Sequence, residues 1–303
     1  MPDRAGRLGV VIVEYRDPEG ASSVVHSFAR APDMGIVVVS TGPVPFPSER
    51  GVTVIHLPDN PGFGAAVNRG VREFVGTATH VLVSNTDVLG SLEGVRQLWR
   101  VARDRALAIV APTILGPGGQ VEWDGGSIEF GRTRVVHERR GEHPRPESVV
   151  QPTMFVTGAY FLLQVEAWEA VGGMREDFFM YAEDADFALR LRRAGLGAAV
   201  VTGVRVVHSP STSVGWLSPL QVYLMTRNNL RLFQEWSPYA WGRWACWVAV
   251  PLRLAWHSIA AGGRRWSRCR WICVGLWDAR KGSERRLGKG RATDLLPPTA
   301  AGA

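Results

Sequence analysis

The chain has 303 residues, of which 46% are hydrophobic and 21% are charged, a balance typical of a globular protein with a sizeable core. This composition excludes disorder over most of the chain, and the length fits one large α/β domain or a domain of roughly 220 residues with an appendage. The formal net charge of +7 is concentrated near the C-terminus, since residues 264–291 contain ten basic residues and two acidic ones. The remainder of the chain is nearly neutral, so we expect no nucleic-acid binding by the main domain.

The N-terminal segment enters a predicted strand without the apolar stretch and cleavage site of a secretory signal peptide, so we expect a cytoplasmic protein. The three cysteines, Cys246, Cys269 and Cys273, lack the second pair that a zinc site needs. Free thiols are therefore expected.

Short runs of β-branched residues alternate with helical periodicity over the first third of the chain. This alternation predicts a mostly parallel central sheet covered by helices, the architecture of a nucleotide-binding α/β half. The predicted strands cover residues 8–13, 36–39, 52–55, 80–83 and 108–111, and the predicted helices cover residues 22–30, 64–75 and 92–103.

The segment LPDNPGFGAAVNRG, residues 57–70, connects a predicted strand to a predicted helix. Gly62 and Gly64 permit a ligand to approach the backbone closely, and Asn60 and Asn68 offer donors for phosphate or ribose oxygens at a helix N-terminus. Taken alone, an ordinary strand-to-helix connection explains the same pattern.

The segment VLVSNTDV, residues 81–88, is an apolar strand that ends in a polar triplet with Asn85 first and Asp87 last. A carboxylate at this edge of a sheet can hold Mg²⁺ or Mn²⁺ against a diphosphate. Such an ion neutralises a departing diphosphate without any proton transfer. A simple turn after the strand is the alternative interpretation.

Residues 113–150 are rich in Gly, Pro and charge, which predicts loops that flank one or two irregular strands. A strand over residues 153–163, a short helix over residues 165–171 and a longer helix over residues 183–194 follow, the last closed by Gly195.

The acid pair Glu183 and Asp184 opens the last of these helices. Acidic residues at a helix N-terminus commonly do no more than interact favourably with the helix dipole. The dipole would also lower the pKa of their carboxyl groups. A carboxylate in this position could instead accept the proton of a hydroxyl nucleophile. Further along, His208 ends a strand-like run and, paired with Asp87, could complete a mixed oxygen and nitrogen metal site, although most such histidines are core or surface residues.

Most of the twelve tryptophans lie between residues 236 and 277. Residues 241–261 could span about 30 Å as a helix, but Arg253 near the midplane would cost ~3 kcal/mol and Pro251 interrupts the helix. Tryptophan and arginine suit the headgroup layer, so we favour a helix that lies in the membrane surface over one that crosses it. A Trp-rich helical pair packed on the domain is the alternative.

Six segments follow one another in order: NPGFGAAVNRG, NTD, TGAYFLL, FFMYAEDADFALRLRRAG, VVHS and RNNLRLF. In these segments the chain resembles the family 2 glycosyltransferases of GT-A fold, particularly the rhamnosyltransferase-like members of bacterial cell-envelope polysaccharide assembly. The resemblance implies a GT-A domain at residues 1–235, with a nucleotide-binding half at 1–112 and an acceptor and catalytic half at 113–235. A helical, membrane-associating tail with a disordered end would occupy residues 236–303.

The resemblance also implies a site. Asp87 and His208 would hold Mg²⁺ or Mn²⁺, and Asp184 would be the catalytic base, with Glu183 beside it. The nucleotide sugar would contact residues at strand ends and around the glycine turn, namely Glu14, Tyr15, Ser40, Asn60, Gly62, Gly64, Asn68 and Asn85. The chain differs from the family pattern at two places in this set. The family usually has Thr-Tyr-Asn at the positions of Glu14, Tyr15 and Arg16, and it usually has an Asp that recognises the nucleotide base at the position of Ser40.

The implied activity is an inverting, metal-dependent transfer of rhamnose or another hexose from a dTDP-, UDP- or GDP-linked donor to a hydroxyl acceptor. The protein would act as a peripheral protein at the inner face of the cell membrane. A polyprenyl-linked glycan and a small natural product are both candidate acceptors. A non-catalytic GT-A-like scaffold and a nucleotidyltransferase are the alternatives, and the sequence leaves the sugar and the oligomeric state open.

Overall fold

The computed structural model describes residues 7–29, 31, 33–209, 218–260 and 265–281. The chain divides into two compact units. The first unit comprises Met1–Ser127, Val135–Glu176 and Glu183–Pro210, and the second comprises Ile128–Arg134, Asp177–Ala182 and Ser211–Ala303. The helix that precedes residue 236 thus belongs to the unit that contains the tail, whereas we expected it in the main domain at residues 1–235. The expected disordered end of the tail lies outside the described residues.

The strands are, in chain order, β1 (Leu8–Glu14), β2 (Met34–Ser40), β3 (Val52–His56), β4 (His80–Asn85), β5 (Val88–Leu89), β6 (Leu107–Leu115), β7 (Val121–Trp123), β8 (Gly126–Glu129), β9 (Arg134–His137), β10 (Val150–Pro152), β11 (Tyr160–Gln164) and β12 (Gly197–His208). The α-helices are α1 (Pro18–Phe28), α2 (Phe63–Arg72), α3 (Leu92–Asp104), α4 (Val165–Ala170), α5 (Glu183–Arg193), α6 (Pro219–Trp236), α7 (Ala240–Ala260) and α8 (Arg265–Arg280).

The central sheet has the strand order β10-β12-β6-β11-β4-β1-β2-β3, with β5 beside β12 and β7 beside β6. The neighbours β4, β1, β2 and β3 are parallel, as are β6 and β12, while β11 runs antiparallel between β4 and β6. The structure is therefore a mixed α/β fold with a mostly parallel central sheet, as predicted. Strands β8 and β9 form a separate two-stranded sheet.

The first strands are continuous apolar runs because both faces of the sheet are covered. In β1, the residues Val10, Val11 and Ile12 are fully buried although their side chains alternate between the two faces. Two of the covering helices begin at polar caps. The Asp17 side chain accepts a hydrogen bond from the backbone N–H of Gly20 in α1, and the Ser91 hydroxyl accepts one from the backbone N–H of Gly94 in α3. Element type in this region agrees with the prediction, and the strands and helices differ from it only at their ends.

The predicted strand over residues 153–163 is shorter in the structure, where only β11 is extended and paired. Thr153 instead turns the chain, since its hydroxyl oxygen accepts a hydrogen bond from the backbone N–H of Gly126 and lies 2.8 Å from the carbonyl oxygen of Phe155. Apolar composition alone cannot distinguish a strand from such a buried, irregular segment.

In the second unit, α7 and α8 both pack against α6. Gly275 allows α8 to come close to α6, because a Cβ atom at this position would lie 2.8 Å from Thr226. Arg253 donates to the carbonyl oxygens of Arg132 and Thr133, so its guanidinium anchors α7 to a turn of the same unit. The three cysteines are free, as expected. Among the described residues, we find no helix with the length and apolar character that crossing a membrane requires.

Candidate active site

Asp87 and His208 lie side by side at one edge of the central sheet. Strand β5, which follows Asp87, pairs antiparallel with β12 and places Val88 opposite His208. The backbone N–H of Ser209 donates to the carbonyl oxygen of Asp87 at 2.8 Å. The Oδ2 atom of Asp87 is 3.3 Å from the Nε2 atom of His208. Two residues that are more than a hundred positions apart are thus brought together.

The other ring nitrogen of His208 faces a residue that sequence reasoning missed. Nδ1 lies 2.5 Å from the Oε2 atom of Glu122, in the middle of β7. Burial lowers the pKa of His208, but the hydrogen bonds and charges of Asp87 and Glu122 outweigh it and raise the pKa to about 9. A single Glu in a Gly-rich stretch carries no motif, so the sequence offered no signal for it.

The chemistry and spacing of Asp87 and His208 fit one divalent cation. Two ligand atoms 3.3 Å apart can both bind an ion at about 2.1 Å, with an angle of about 100° between the bonds. Carboxylate oxygen and imidazole nitrogen together suit Mn²⁺ or Mg²⁺. No cluster of three or more His, Cys, Asp or Glu side chains that could hold an ion occurs in the described part of the chain. The remaining positions around such an ion would be filled by water or by oxygen atoms of a bound ligand.

Asp184, at the start of α5, is tied to the same edge of the sheet. Its Oδ2 atom accepts a hydrogen bond from the backbone N–H of Gly158 at 3.1 Å, and its Oδ1 atom accepts one from Ala185 at 2.8 Å. The next residue, Ala159, accepts a hydrogen bond from the backbone N–H of Asn85 at 2.9 Å. The acid of α5 and the polar triplet after β4 therefore meet at the carboxyl end of β4.

Burial governs the protonation of the acid pair. Glu183 is only 5% exposed, and its Oε2 atom has no hydrogen-bond partner among the described residues. Burial and then the charge of Asp184 raise the pKa of Glu183 to about 8. Burial also raises the pKa of Asp184, while the N–H groups of Ala185 and Gly158 act against this rise. The helix dipole was expected to depress these pKa values, and that expectation is wrong because desolvation outweighs it.

Glu14 and Ser40 were expected to contact the nucleotide, but they bond to each other inside the protein. The Ser40 hydroxyl donates to Oε2 of Glu14 at 2.5 Å, and Oε1 accepts a hydrogen bond from the backbone N–H of Asp17 at 2.8 Å. Both side chains are buried at the ends of β1 and β2. These hydrogen bonds use polar groups of both side chains inside the protein, and contact of Glu14 and Ser40 with the nucleotide stays a prediction. Tyr15 is partly exposed beside them, with the Arg16 guanidinium 5.2 Å from its ring centre.

Gly64 and Asn68 lie one turn apart on α2, and both contact other residues of the protein. A Cβ atom at position 64 would lie 2.8 Å from the carbonyl oxygen of Arg175. The Asn68 amide nitrogen donates to the Met174 carbonyl and to Glu176. Its amide oxygen accepts hydrogen bonds from the Trp168 ring and the Met174 backbone. These contacts favour an internal role for Asn68 in packing residues 174–176, and contact of Gly64 and Asn68 with the donor stays a prediction.

Asn60 and Gly62 shape the entry to α2. Asn60 adopts a left-handed conformation with φ of 41°, and its side-chain oxygen accepts a hydrogen bond from the backbone N–H of Gly62 at 3.2 Å. Gly62 has φ of 99° and occupies the N-cap position, where it supplies no side-chain cap. Contact of Tyr15, Asn60, Gly62 and Asn85 with the donor stays a prediction.

Comparison with known proteins relates this geometry to a family. A family model described as "Glycosyl transferase family group 2" matches residues 147–278. The "Low-salt glycan biosynthesis hexosyltransferase Agl10" of Haloferax volcanii is 24% identical in an alignment of 227 positions, and this match covers 73% of this chain and 74% of that protein. The "N-acetylglucosaminyl-diphospho-decaprenol L-rhamnosyltransferase" of Mycobacterium tuberculosis is 29% identical in an alignment of 180 positions, and this match covers 52% of this chain and 58% of the relative.

Solved structures share the fold. A structure of GalNAc-T7 with UDP, GalNAc and Mn²⁺ matches with a TM-score of 0.57 and 14% identity, over 97% of this chain and 59% of that one. Residues 1–349 of S. aureus TarS in complex with UDP match with a TM-score of 0.51 and 11% identity, over 83% of this chain and 71% of that one. At these identities the likeness concerns the fold alone.

Proposed function

Because this chain is a family 2 glycosyltransferase of the rhamnosyltransferase-like kind, we propose that it moves rhamnose or another hexose from a nucleotide-diphosphate sugar to a hydroxyl acceptor, with inversion at the anomeric carbon. One observation carries the proposal. The Asp87 and His208 pair and the Asp184 carboxylate converge at one edge of the sheet. In open, mostly parallel sheets, ligands bind at the carboxyl ends of the strands.

In this reaction, Asp184 accepts the proton of the acceptor hydroxyl while the hydroxyl oxygen forms its bond to the anomeric carbon. The bond from that carbon to the diphosphate breaks in the same displacement, so the configuration inverts. Backbone N–H groups fix the orientation of both Asp184 oxygens. Its raised pKa makes it a stronger base than an ordinary Asp. The raised pKa of Glu183 favours its neutral form beside an ionised Asp184, which avoids two negative charges side by side.

Asp87 and His208 would hold the diphosphate end of the donor through Mg²⁺ or Mn²⁺. When bound, such an ion supplies charge neutralisation for the leaving diphosphate. The 3.3 Å spacing of the two ligand atoms supports this assignment. A donor built on a nucleoside diphosphate is supported by the UDP and Mn²⁺ in the GalNAc-T7 structure.

The acceptor is proposed to be a polyprenyl-linked glycan in cell-envelope assembly. The name of the mycobacterial relative describes a substrate in which N-acetylglucosamine is joined through a diphosphate to decaprenol. Such an acceptor stays in the membrane because of its lipid, so an enzyme that glycosylates it must work at the membrane surface.

Helix α7 supplies a surface suited to that location. Large apolar side chains recur on one face at intervals of three and four residues and are 54–77% exposed. They are Trp241, Trp244, Val248, Leu252, Trp256 and Ile259. Basic side chains accompany them, including Arg243 on α7 and Arg268 on α8. We infer that this apolar face, with its tryptophans, holds the second unit in the headgroup layer at the inner face of the cell membrane.

The reaction is tested by incubating the protein with dTDP-, UDP- and GDP-linked hexoses and a polyprenyl-diphosphate-linked N-acetylglucosamine in the presence of Mn²⁺. Mass spectrometry should show one added hexose, and NMR should show an inverted anomeric centre. EDTA should stop the reaction and added Mn²⁺ should restore it. Retention of configuration, or full activity in EDTA, would contradict the mechanism. Transfer only to soluble aglycones would favour a natural-product enzyme, and failure to bind any nucleotide diphosphate would favour a scaffold.

A further inference from the structure

Glu122 contacts His208 on the side of the imidazole ring opposite the proposed metal site. Its Oε2 atom lies 2.5 Å from Nδ1 of His208, while Nε2 of the same ring is turned towards Asp87. The imidazole is therefore held between two carboxylates on opposite sides, of which one belongs to the proposed metal site and the other does not.

The position of Glu122 is fixed by its strand. Its neighbours Val121 and Trp123 are 1% exposed, whereas Glu122 is partly exposed and lies at an irregularity in the pairing of β7 with β6. Strand β7 pairs with β6 on one side. On the other side, backbone hydrogen bonds join Val121 to Gly141 and Glu142. Because β7 is hydrogen-bonded on both sides, its backbone is held in place. Only rotation within the Glu122 side chain can then move the carboxylate away from His208.

The consequence concerns which nitrogen of His208 is available. A metal ion binds the lone pair of Nε2, which requires the remaining ring proton to be on Nδ1. The Glu122 carboxylate accepts a hydrogen bond from Nδ1–H and so keeps that proton in place. Without it, a neutral imidazole can carry its proton on Nε2 and donate to Asp87, a form that cannot bind the ion. Histidine ligands of metals generally depend on such a partner for their tautomer and orientation.

We propose that Glu122 is a positioning residue for the metal ligand His208, selecting the ring tautomer and orientation that bind a divalent cation. This inference rests on the proposed metal site at Asp87 and His208, and it assigns a role to a residue outside that site.

The first test measures Mn²⁺ affinity in the presence of UDP by electron paramagnetic resonance at constant pH. We expect Glu122→Ala to weaken Mn²⁺ binding by about 10–100-fold. Glu122→Gln should have a smaller effect, because the amide oxygen can still accept from Nδ1–H. Glu93→Ala is the matched control, since it removes an equal charge from an exposed position on α3 and should leave the affinity unchanged.

A double-mutant cycle separates positioning from simple charge attraction. If Glu122 acts through the ring, Glu122→Ala should have no further effect on Mn²⁺ affinity once His208 has been replaced by Ala. An equal loss in both backgrounds would mean that the carboxylate acts only by its charge, and the proposal would be overturned.

The contact itself is tested without metal by proton NMR. The strong hydrogen bond should give a downfield imidazole N–H resonance that disappears in both Glu122→Ala and His208→Ala. Its persistence in Glu122→Ala would refute the inference. If the resonance behaves as expected but wild-type protein binds no Mn²⁺, the contact stands, whereas the metal site, and with it the role given to Glu122, is rejected.

Discussion

The carboxylate of Asp184 accepts a hydrogen bond from the backbone N–H of Gly158 at 3.1 Å, which joins the first turn of α5 to the residues just before β11. Strand β11 pairs with β4, so this bond brings the proposed base to the strand that ends two residues before the proposed metal ligand Asp87. Asp184 is thereby placed by the central sheet as well as by its own helix.

Asp184→Asn should reduce the rate of sugar transfer by about 10²–10⁴-fold, because the amide keeps the shape of the carboxylate but cannot take up the acceptor proton. Binding of the nucleotide sugar should change little. Turnover by mass spectrometry and donor binding by calorimetry check the two statements. Asp104→Asn, an exposed change at the end of α3, is the control. Near-normal turnover in Asp184→Asn would remove this residue from the role of base.

Asn68→Ala should destabilise the protein by about 2–4 kcal/mol, because it leaves buried polar groups of Trp168 and Met174 without partners. Asn60→Ala is the comparison, since it loses a single hydrogen bond at a partly exposed turn and should cost about 1 kcal/mol. Chemical denaturation measures both. The folded fraction of Asn68→Ala should bind the nucleotide sugar normally, and a selective loss of binding without loss of stability would restore Asn68 to the donor site.

These residues show what the sequence could and could not predict. Strands such as β1 and β4 were recognisable because burial on both faces demands uninterrupted β-branched residues. Asp87, His208 and Asp184 could be proposed as site residues from the order of their motifs, and their roles stay predictions. The internal role of Asn68 could not be foreseen, since its partners lie about a hundred positions away. The same is true of Glu122, which is separated from its histidine by 86 residues.

Asn228→Ala should loosen the segment before α5. The Asn228 side chain donates to the carbonyl oxygens of Phe178, Met180 and Tyr181, all in the second unit. This segment contains three left-handed residues that are not glycine, namely Phe179, Tyr181 and Ala182, with φ of 67–69°. Such conformations persist only when surrounding contacts hold them. We expect a loss of about 2–3 kcal/mol in unfolding free energy.

Hydrogen exchange should locate that effect in residues 177–182. The neighbouring change Asn229→Ala is the control, because the Asn229 side chain donates to the carbonyl oxygen of Met225 within its own helix. Equal exchange in the two variants would show that Asn228 does not hold the segment.

Two tryptophans on the exposed face of α7 should decide vesicle binding. Trp244 and Trp256 are 77% and 71% exposed. Their insertion among headgroups would contribute about 1.5–3 kcal/mol each, so the double change to Ala should reduce binding to anionic vesicles by well over tenfold. Val44→Ala, at an equally exposed site of the first unit, should have no effect. Flotation measures binding, and retention of DNA at the same salt concentration with no vesicle binding would instead indicate a nucleic-acid surface.

Glu183→Gln should change how stability depends on pH. The folded protein keeps the proton of Glu183 up to about pH 8, whereas an unperturbed Glu releases it near 4.5. Between these values the folded state binds more protons than the unfolded state, so the unfolding free energy of the wild type falls as pH rises. Gln preserves the neutral shape and removes this titration. The variant should therefore match the wild type at about pH 5 and melt at least ~3 °C higher at about pH 8. Calorimetric melting at both values measures the difference, and parallel curves for the two proteins would show that Glu183 ionises normally in the folded state.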